Sequence, residues 1–497
     1  MKRKLLARNT VTSVIYQMFS VLCGFVLPRM ILSAFGSQTN GLVSSITQFI
    51  QVINLFDLGI TSVIVYNLYK PLALHDNQKL SEVVSSADSF FKKIGIALIG
   101  YVIVLAIAYP VFIDSGFDYT FVVFLVLIMG INAFGQYYFG VVNRLILIAD
   151  QNNYIPYITQ TLTVVCNTVL CYVVIKLGGS IHAVKFITSI IYLVRPIIYA
   201  LCVKKKYSIN RQMITDGKVL DQKWNGIAQH ISSVILDSTD TIVLTLFSTL
   251  TNVSIYNIYF LVITGIKGFI TSLTGGVNSL LGNLWAENRK ESFVKTFQMF
   301  EWGMSMITVI CFGCVGVMLV PFVSIYTKDI NDANYIQPVF AVFICLAYSL
   351  YSLRVPYSSV VLQIGHYKQT QISYVISVII NLGVSILCVN KLGLVGVAVG
   401  TFVALLYHTL YFQYYVYKKV LKLKVKRVFK LYFVMALSIV SGYIVHLFYT
   451  PTSSNIIEFI LSCIAEGIIW TVVALILNSI FYKKNVLSIY SKLGVLL

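Results

Sequence analysis

Five cationic side chains stand inside otherwise apolar runs: Arg29, Lys185, Arg195, Lys267 and Arg354. An unpaired cation at the centre of a membrane span costs at least ~2.5–3.5 kcal/mol on insertion scales, so each needs a partner or a ligand. Lys185 is close to the end of its run and can snorkel to the surface. Arg29, Arg195, Lys267 and Arg354 sit deeper. The acids in the same runs are Asp57, Asp237, Asp240 and Glu466, with Glu301 near an inner edge. Some cations are expected simply to pair with these acids, a reading with more weight for Arg195 and Arg354 than for Arg29 and Lys267. Asp237-Ser-Thr-Asp240 places two carboxylates one helical turn apart, a spacing that could hold a proton or a cation. Pro28, Pro196 and Pro356 lie beside or near three of the cations, and proline bends a helix.

The elements that carry these residues follow from composition. The chain has 497 residues, 58% hydrophobic and 11% charged, with mean hydropathy +0.83. Soluble domains carry about 25% charged residues. The expected fold class is an all-α polytopic membrane protein, because a chain crossing lipid must satisfy its own backbone groups. Apolar runs of spanning length are expected at 10–34, 42–66, 90–113, 119–146, 154–175, 180–203, 227–249, 253–276, 297–325, 336–362, 370–389, 393–416, 428–449 and 456–481. The first run is too long for a secretory leader and shows no small-residue cleavage site, so it reads as a retained span.

These fourteen spans place both termini on one side. With that side inside, 29 of the 37 Lys and Arg residues fall in inner loops, termini or flanks, three fall outside (Lys176, Lys328, Lys391), and five lie within spans. The net charge of +19 is therefore a topology signal. It is not a nucleic-acid footprint, although anionic inner-leaflet lipid would add attraction. The expected location is the cytoplasmic membrane of a bacterium, both termini cytoplasmic.

An internal repeat is visible. KLGGSIHAV (Lys176–Val184) recurs as KLGLVGVAV (Lys391–Val399) at an offset of 215, and LSAFGSQTN (Leu32–Asn40) echoes LTLFSTLTN (Leu244–Asn252) at 212. Six spans per repeat is even, so the halves are parallel, related by an axis along the membrane normal. The expected organisation is a six-helix lobe over 1–203, a cytoplasmic linker over 204–226, a second six-helix lobe over 227–420, and an added helix pair within 421–497.

Polar residues concentrate where each repeat begins. Span one carries Ser13, Gln17 and Ser20 before Pro28-Arg29; span two carries Gln48, Gln51, Asn54, Asp57 and Thr61. Span seven carries His230, Ser233, Asp237, Asp240, Thr241, Thr245 and Ser248, and span eight carries Thr264, Lys267, Thr271 and Thr274. Steps of three and four put neighbours on one helix face. A single Ser or Thr reads as interhelical hydrogen bonding. Whole faces in matched positions read as the lining of a hydrated cavity.

Several chemistries have no residues to carry them. No G-x-x-x-x-G-K-[ST] loop, H-E-x-x-H motif or D-x-D pair occurs. All nine cysteines fall inside expected spans, so neither a disulfide framework nor a metal site is expected. The outer loops are too short to build an outer-face active site. Transport, without an organic or metal cofactor, is the expected activity.

VLPRMILSAFGSQTNGLVSSITQFIQVINLFDLGI, LDSTDTIVLTLFS and GHYKQTQISYVISVIINLGVSILCVNKLGLVGVAVGT resemble the bacterial polysaccharide (O-antigen or capsule) repeat-unit flippases. That family belongs to the multidrug/oligosaccharidyl-lipid/polysaccharide exporter superfamily, and the resemblance covers nearly the whole chain. It implies a two-lobed, alternating-access transporter and no enzyme. The implied cargo is an undecaprenyl-pyrophosphate-linked oligosaccharide, flipped from inner to outer leaflet for surface polysaccharide synthesis. By position, Arg29 and Lys267 would be cavity cations for the pyrophosphate, with Arg354 and Arg195 as further candidates. Gln17, Gln48, Gln51, Asn54, Asp57, Ser233, Asp237, Asp240, Thr241, Thr264 and Thr271 would line the cavity. H+ or Na+ coupling would run through Asp57, Asp237 or Asp240. The polymerase and glycosyltransferases of the same pathway are the implied partners. Members that flip the peptidoglycan precursor carry several cavity arginines in the first helices; spans one and two here hold only Arg29. The alternatives are a cation-coupled multidrug exporter of the superfamily, a membrane polymerase or ligase of the pathway, or a scaffold that transports nothing.

Overall fold

A computed structural model describes residues 2–57, 60–211, 227–424, 426–449 and 455–487. Among them the regular elements are helical and none is a strand: α1 (Lys2–Gln51), α2 (Ile60–Leu74), α3 (Asn77–Phe112), α4 (Tyr119–Gly135), α5 (Val141–Ala149), α6 (Tyr154–Lys176), α7 (Ile181–Lys206), α8 (Ile227–Phe247), α9 (Leu250–Ala286), α10 (Lys290–Tyr326), α11 (Pro338–Gln363), α12 (Tyr367–Leu392), α13 (Leu394–Tyr414), α14 (Lys426–Phe448) and α15 (Ile456–Phe481). A π-helical turn, Gln136–Gly140, joins α4 to α5. Twelve of the described helical stretches are long and apolar enough to cross a membrane, and two shorter apolar ones, Val63–Leu74 and Ser238–Phe247, accompany them. The shorter two lie within or beside the expected spans two and seven, both of which carry polar faces.

Spans one and two are drawn differently from the sequence expectation. The apolar stretch Ala7–Gln51 has 45 residues, about 68 Å at 1.5 Å per residue, twice the ~30 Å hydrocarbon thickness. It is two helices meeting at Gly36, whose backbone (φ 80°, ψ 174°) is non-helical. The loop expected between 34 and 42 is thus a single residue, and the second helix gives way to a 3-10 turn, Val52–Asp57, before α2. Only glycine enters that φ/ψ region without strain. Gly36→Ala is expected to cost about 1–3 kcal/mol, read as a lowered Tm of the detergent-purified protein; an unchanged Tm would mean that the break is not needed.

The chain divides into two compact units, Met1–Ser254 and Ile255–Leu497, with the boundary inside α9. The first unit packs around residues with no exposure, among them Leu42, Ile46, Ile64, Leu98 and Leu125. In lipid this packing is held by van der Waals fit and interhelical hydrogen bonds more than by expulsion of water. The Ser45 hydroxyl accepts from Tyr109 at 2.7 Å and lies 2.8 Å from the Thr245 hydroxyl, and Asn40 Nδ2 donates to Ser254 at 2.7 Å. A Cβ at Gly41 would fall 1.7 Å from the Leu250 carbonyl oxygen, so glycine alone admits this approach.

The basic end of the first unit is tied by polar contacts. Asn9 Nδ2 donates to the Gln151 carbonyl at 2.7 Å, and Arg8 lies 3.6 Å over the Tyr154 ring. Asp150 accepts from Lys206, at 2.5 Å, and from the Tyr207 hydroxyl. Burial, then the bond to Asp150, pushes the Tyr207 hydroxyl well above its ordinary pKa, so it stays a neutral donor. Arg211, in the expected linker, returns to Asp88 (2.7 Å) and Asn143 (2.5 Å). Linker residues 212–226 lie outside the described residues.

In the second unit the added helices α14 and α15 are anchored on α10. The Trp470 ring fills the space that side chains at Gly313 and Gly442 would need, 2.2 and 2.5 Å from their ideal Cβ positions. Trp302 Nε1 donates to Asn478 Oδ1 at 2.7 Å, and the fully buried Glu466 receives His446 (2.7 Å) and Trp470 Nε1 (3.1 Å). Glu301, 2% exposed, accepts the hydroxyls of Tyr357 (2.7 Å) and Tyr417 (2.8 Å) and lies 3.5 Å from Arg427.

The two repeat signatures fall on helix corners of the same kind. Gly178 follows α6 with φ 77°, and Gly393, at the 215 offset, follows α12 with φ 53°. Gly36 breaks α1, and Ser248, at the 212 offset, follows the end of α8.

Candidate functional site

The strongest assembly of expected site residues is in the second unit. α9 carries Lys267 and α11 carries Arg354, and both reach one ring. The Lys267 ammonium lies 5.2 Å from the Tyr351 centroid, 5.4 Å from Tyr348 and 5.7 Å from Phe260; the Arg354 guanidinium lies 5.3 Å from Tyr351. Ring faces attract cations through their quadrupole, by about 0.5–2 kcal/mol depending on desolvation. Tyr351 therefore attracts both cations. Tyr348, Tyr351 and Arg354 step by three along α11, which puts them on one face.

Arg354 is held from behind. Its Nη1 bonds to Nδ1 of His408 on α13. Arginine only donates, so Nδ1 is the unprotonated nitrogen and the His408 proton is on Nε2. His408 is fully buried, edge-on to Tyr374 (4.5 Å) and Phe412 (4.9 Å). This backing orients the guanidinium, and a neutral histidine does not compensate its charge. No described carboxylate pairs with Arg354 or Arg195. Glu301 and Glu466 have taken Arg427 and His446 instead.

Lys267 stands among exposed polar neighbours. Thr264 and Thr271, three and four residues away on α9, are both exposed, and the Thr271 hydroxyl is returned to the Lys267 carbonyl at 2.7 Å. Glycines 265, 275 and 276 have open space where a Cβ would be. A helix face of Thr, Lys and Gly suits water and a polar ligand better than acyl chains.

In the first unit Arg29 is half-buried, one residue after Pro28 inside α1. Gln17, Gln51 and Ser233 are exposed and Gln48 is half-buried. Asp240 and Thr241 are instead buried at 3% and 2% exposure, which suits packing of α8 within the unit. Arg195 is in a packed position: its Nε donates to the buried Thr163 at 2.7 Å, and its guanidinium lies 4.0 Å over Tyr192. The side chains of Asn54, Asp57 and Asp237 lie outside the described residues. Sequence reasoning missed the Phe260, Tyr348 and Tyr351 rings and the His408 brace; the three-residue spacing into Arg354 is the signal that was present for two of the rings.

No family model matches the chain, and no curated protein matches it. Solved structures do. A lipid II flippase MurJ in an inward closed conformation aligns with TM-score 0.69 and 15% identity, covering 96% of this chain and 99% of that one. An inward-facing multidrug resistance MATE family transporter of the MOP superfamily aligns with TM-score 0.66 and 15% identity, over 82% and 97%. A MOP superfamily transporter from Pyrococcus furiosus, described by the reverse polarity of its binding pocket, aligns with TM-score 0.59 and 16% identity, over 85% and 97%. At these identities the likeness establishes the polytopic helical fold.

Proposed function

We propose that the chain is a transporter of the MOP superfamily, of the polysaccharide repeat-unit flippase type. It moves an undecaprenyl-pyrophosphate-linked oligosaccharide from the inner to the outer leaflet of the bacterial cytoplasmic membrane by alternating access. The observation that carries this reading is the Lys267–Tyr351–Arg354 cluster: two cations on one ring, one of them braced by a neutral histidine. Such a cluster suits a pyrophosphate, whose charges cannot cross hydrocarbon unaided, while the polyprenyl tail stays in lipid. Arg29 on α1 is the cation assigned to the first half, and the exposed Gln17, Gln51, Ser233, Thr264 and Thr271 hydrate the passage. The lobes 1–203 and 227–420 are the alternating bodies in this reading, and H+ or Na+ coupling is assigned to Asp57, Asp237 or Asp240. The basic loops support an orientation with both termini cytoplasmic.

A second reading, multidrug export, is favoured by the likeness to the MATE transporter. A cavity for cationic drugs should be net acidic, which the cationic cluster opposes. Deleting the gene separates the two. Under the flippase reading a lipid-linked oligosaccharide accumulates at the inner leaflet and dye resistance is unchanged. Lost resistance to a cationic dye without accumulation would transfer the assignment to drug export.

A further inference from the structure

At the basic end of the first unit, two neighbouring cavities are lined in common by Phe139, Ala200 and Lys204. One, about 500 Å³, has a mixed lining that includes Lys92 from α3, Lys204 from α7, and Arg211 with its partners Asp88 and Asn143. The other, about 420 Å³, is apolar and runs along α7 past Leu201, Ile197, Pro196 and Leu193. Phe139 stands on the π-helical turn, which packs closely on α7: a Cβ at Gly140 would lie 3.2 Å from Pro196 Cγ. Phe139, Ile197 and Leu201 are 54%, 57% and 62% exposed, an apolar surface for acyl chains.

Dimensions and charge agree on an occupant. Leu193 and Lys204 are eleven residues apart on one helix, about 16 Å, close to half of the ~30 Å hydrocarbon core. The apolar cavity is therefore one leaflet deep and ends at a lysine. The larger cavity offers three cations against one carboxylate, and Arg211 already uses two of its nitrogens on Asp88 and Asn143. Lys92 and Lys204 remain as exposed ammonium groups at its mouth.

We propose that these cavities bind one anionic phospholipid of the inner leaflet, its phosphate between Lys92, Lys204 and Arg211 and one acyl chain along α7 from Leu201 to Leu193. A long polyprenyl chain would overrun a groove one leaflet deep, so the occupant is a membrane phospholipid and not the cargo. The site is independent of Lys267 and its ring cluster.

The test is native mass spectrometry of the purified full chain, titrated with phosphatidylglycerol or phosphatidylcholine of equal chain length. Phosphatidylglycerol should be retained at least tenfold more than phosphatidylcholine. Lys92→Glu with Lys204→Glu should remove that preference, and Ile197→Trp with Leu201→Trp should lower retention of both lipids severalfold. Lys92→Gln with Lys204→Gln, a milder pair, should lose most of the preference with the Tm of the parent. Equal retention of the two lipids, or an unchanged preference in the Gln pair, would overturn the proposal. So would displacement of phosphatidylglycerol by a polyprenyl phosphate at equal concentration.

Discussion

Under the proposed flippase reading, Lys267→Ala is expected to lower transport of the lipid-linked sugar about a hundredfold while the protein still inserts and folds. A hydrogen bond to a charged group is worth about 1.5–3 kcal/mol, and each 1.4 kcal/mol is tenfold. Lys267 lies against the ring faces of Phe260, Tyr348 and Tyr351. Lys267→Arg keeps the charge within reach of the same rings and should retain a substantial part of the activity. Arg354→Ala should be comparably inactive, but it also strips the partner from the buried His408 and should lower Tm as well. A Lys267→Ala protein with parental transport and parental Tm would remove the residue from the site.

Glu301→Leu is expected to be the most destabilising single change described here, by about 3–5 kcal/mol, the usual cost of breaking one side of a buried charged network. The carboxylate gathers Tyr357 from α11, Tyr417 from the π-helical turn after α13, and Arg427 from α14 around α10. Losing it leaves two buried hydroxyls and a half-buried guanidinium without their acceptor. Gln413, which donates to Tyr357 at 2.9 Å, cannot replace it as an acceptor for both tyrosines. Glu301→Gln keeps one acceptor oxygen and should lose much less. Thermal unfolding in detergent distinguishes them: a large drop in Tm for Leu, a small one for Gln. Equal small drops would show that the network adds little.

The polytopic helical fold was legible because long apolar runs separated by charged loops have few other solutions in lipid. Helix corners at Gly178 and Gly393 were legible as a repeated KLG motif, although their positive φ was not. The single-residue break at Gly36 was missed because a seven-residue loop and one glycine produce the same gap in hydrophobicity. Lys267 and Arg354 were found separately as misplaced charges. What joins them is aromatic, and Tyr348, Tyr351 and Phe260 count as apolar in any hydropathy reading. His408 is a lone histidine in an apolar run, 54 residues from the arginine it braces. Only the packing of α13 on α11 makes them neighbours. Arg195 shows the converse: an out-of-place cation whose answer is a threonine on the preceding helix and a ring on its own.

The most direct measurement is flipping in proteoliposomes that contain the purified chain as their one protein. A polyprenyl-pyrophosphate-linked oligosaccharide is incorporated, and the fraction reachable by a lectin added outside is followed in time. The wild-type chain should equilibrate the lipid across the bilayer, and the Lys267→Ala chain should do so about a hundredfold more slowly. Equilibration at the rate of protein-free vesicles, or equal rates for the two chains, would contradict a flippase that holds its pyrophosphate at the Lys267–Arg354 cluster.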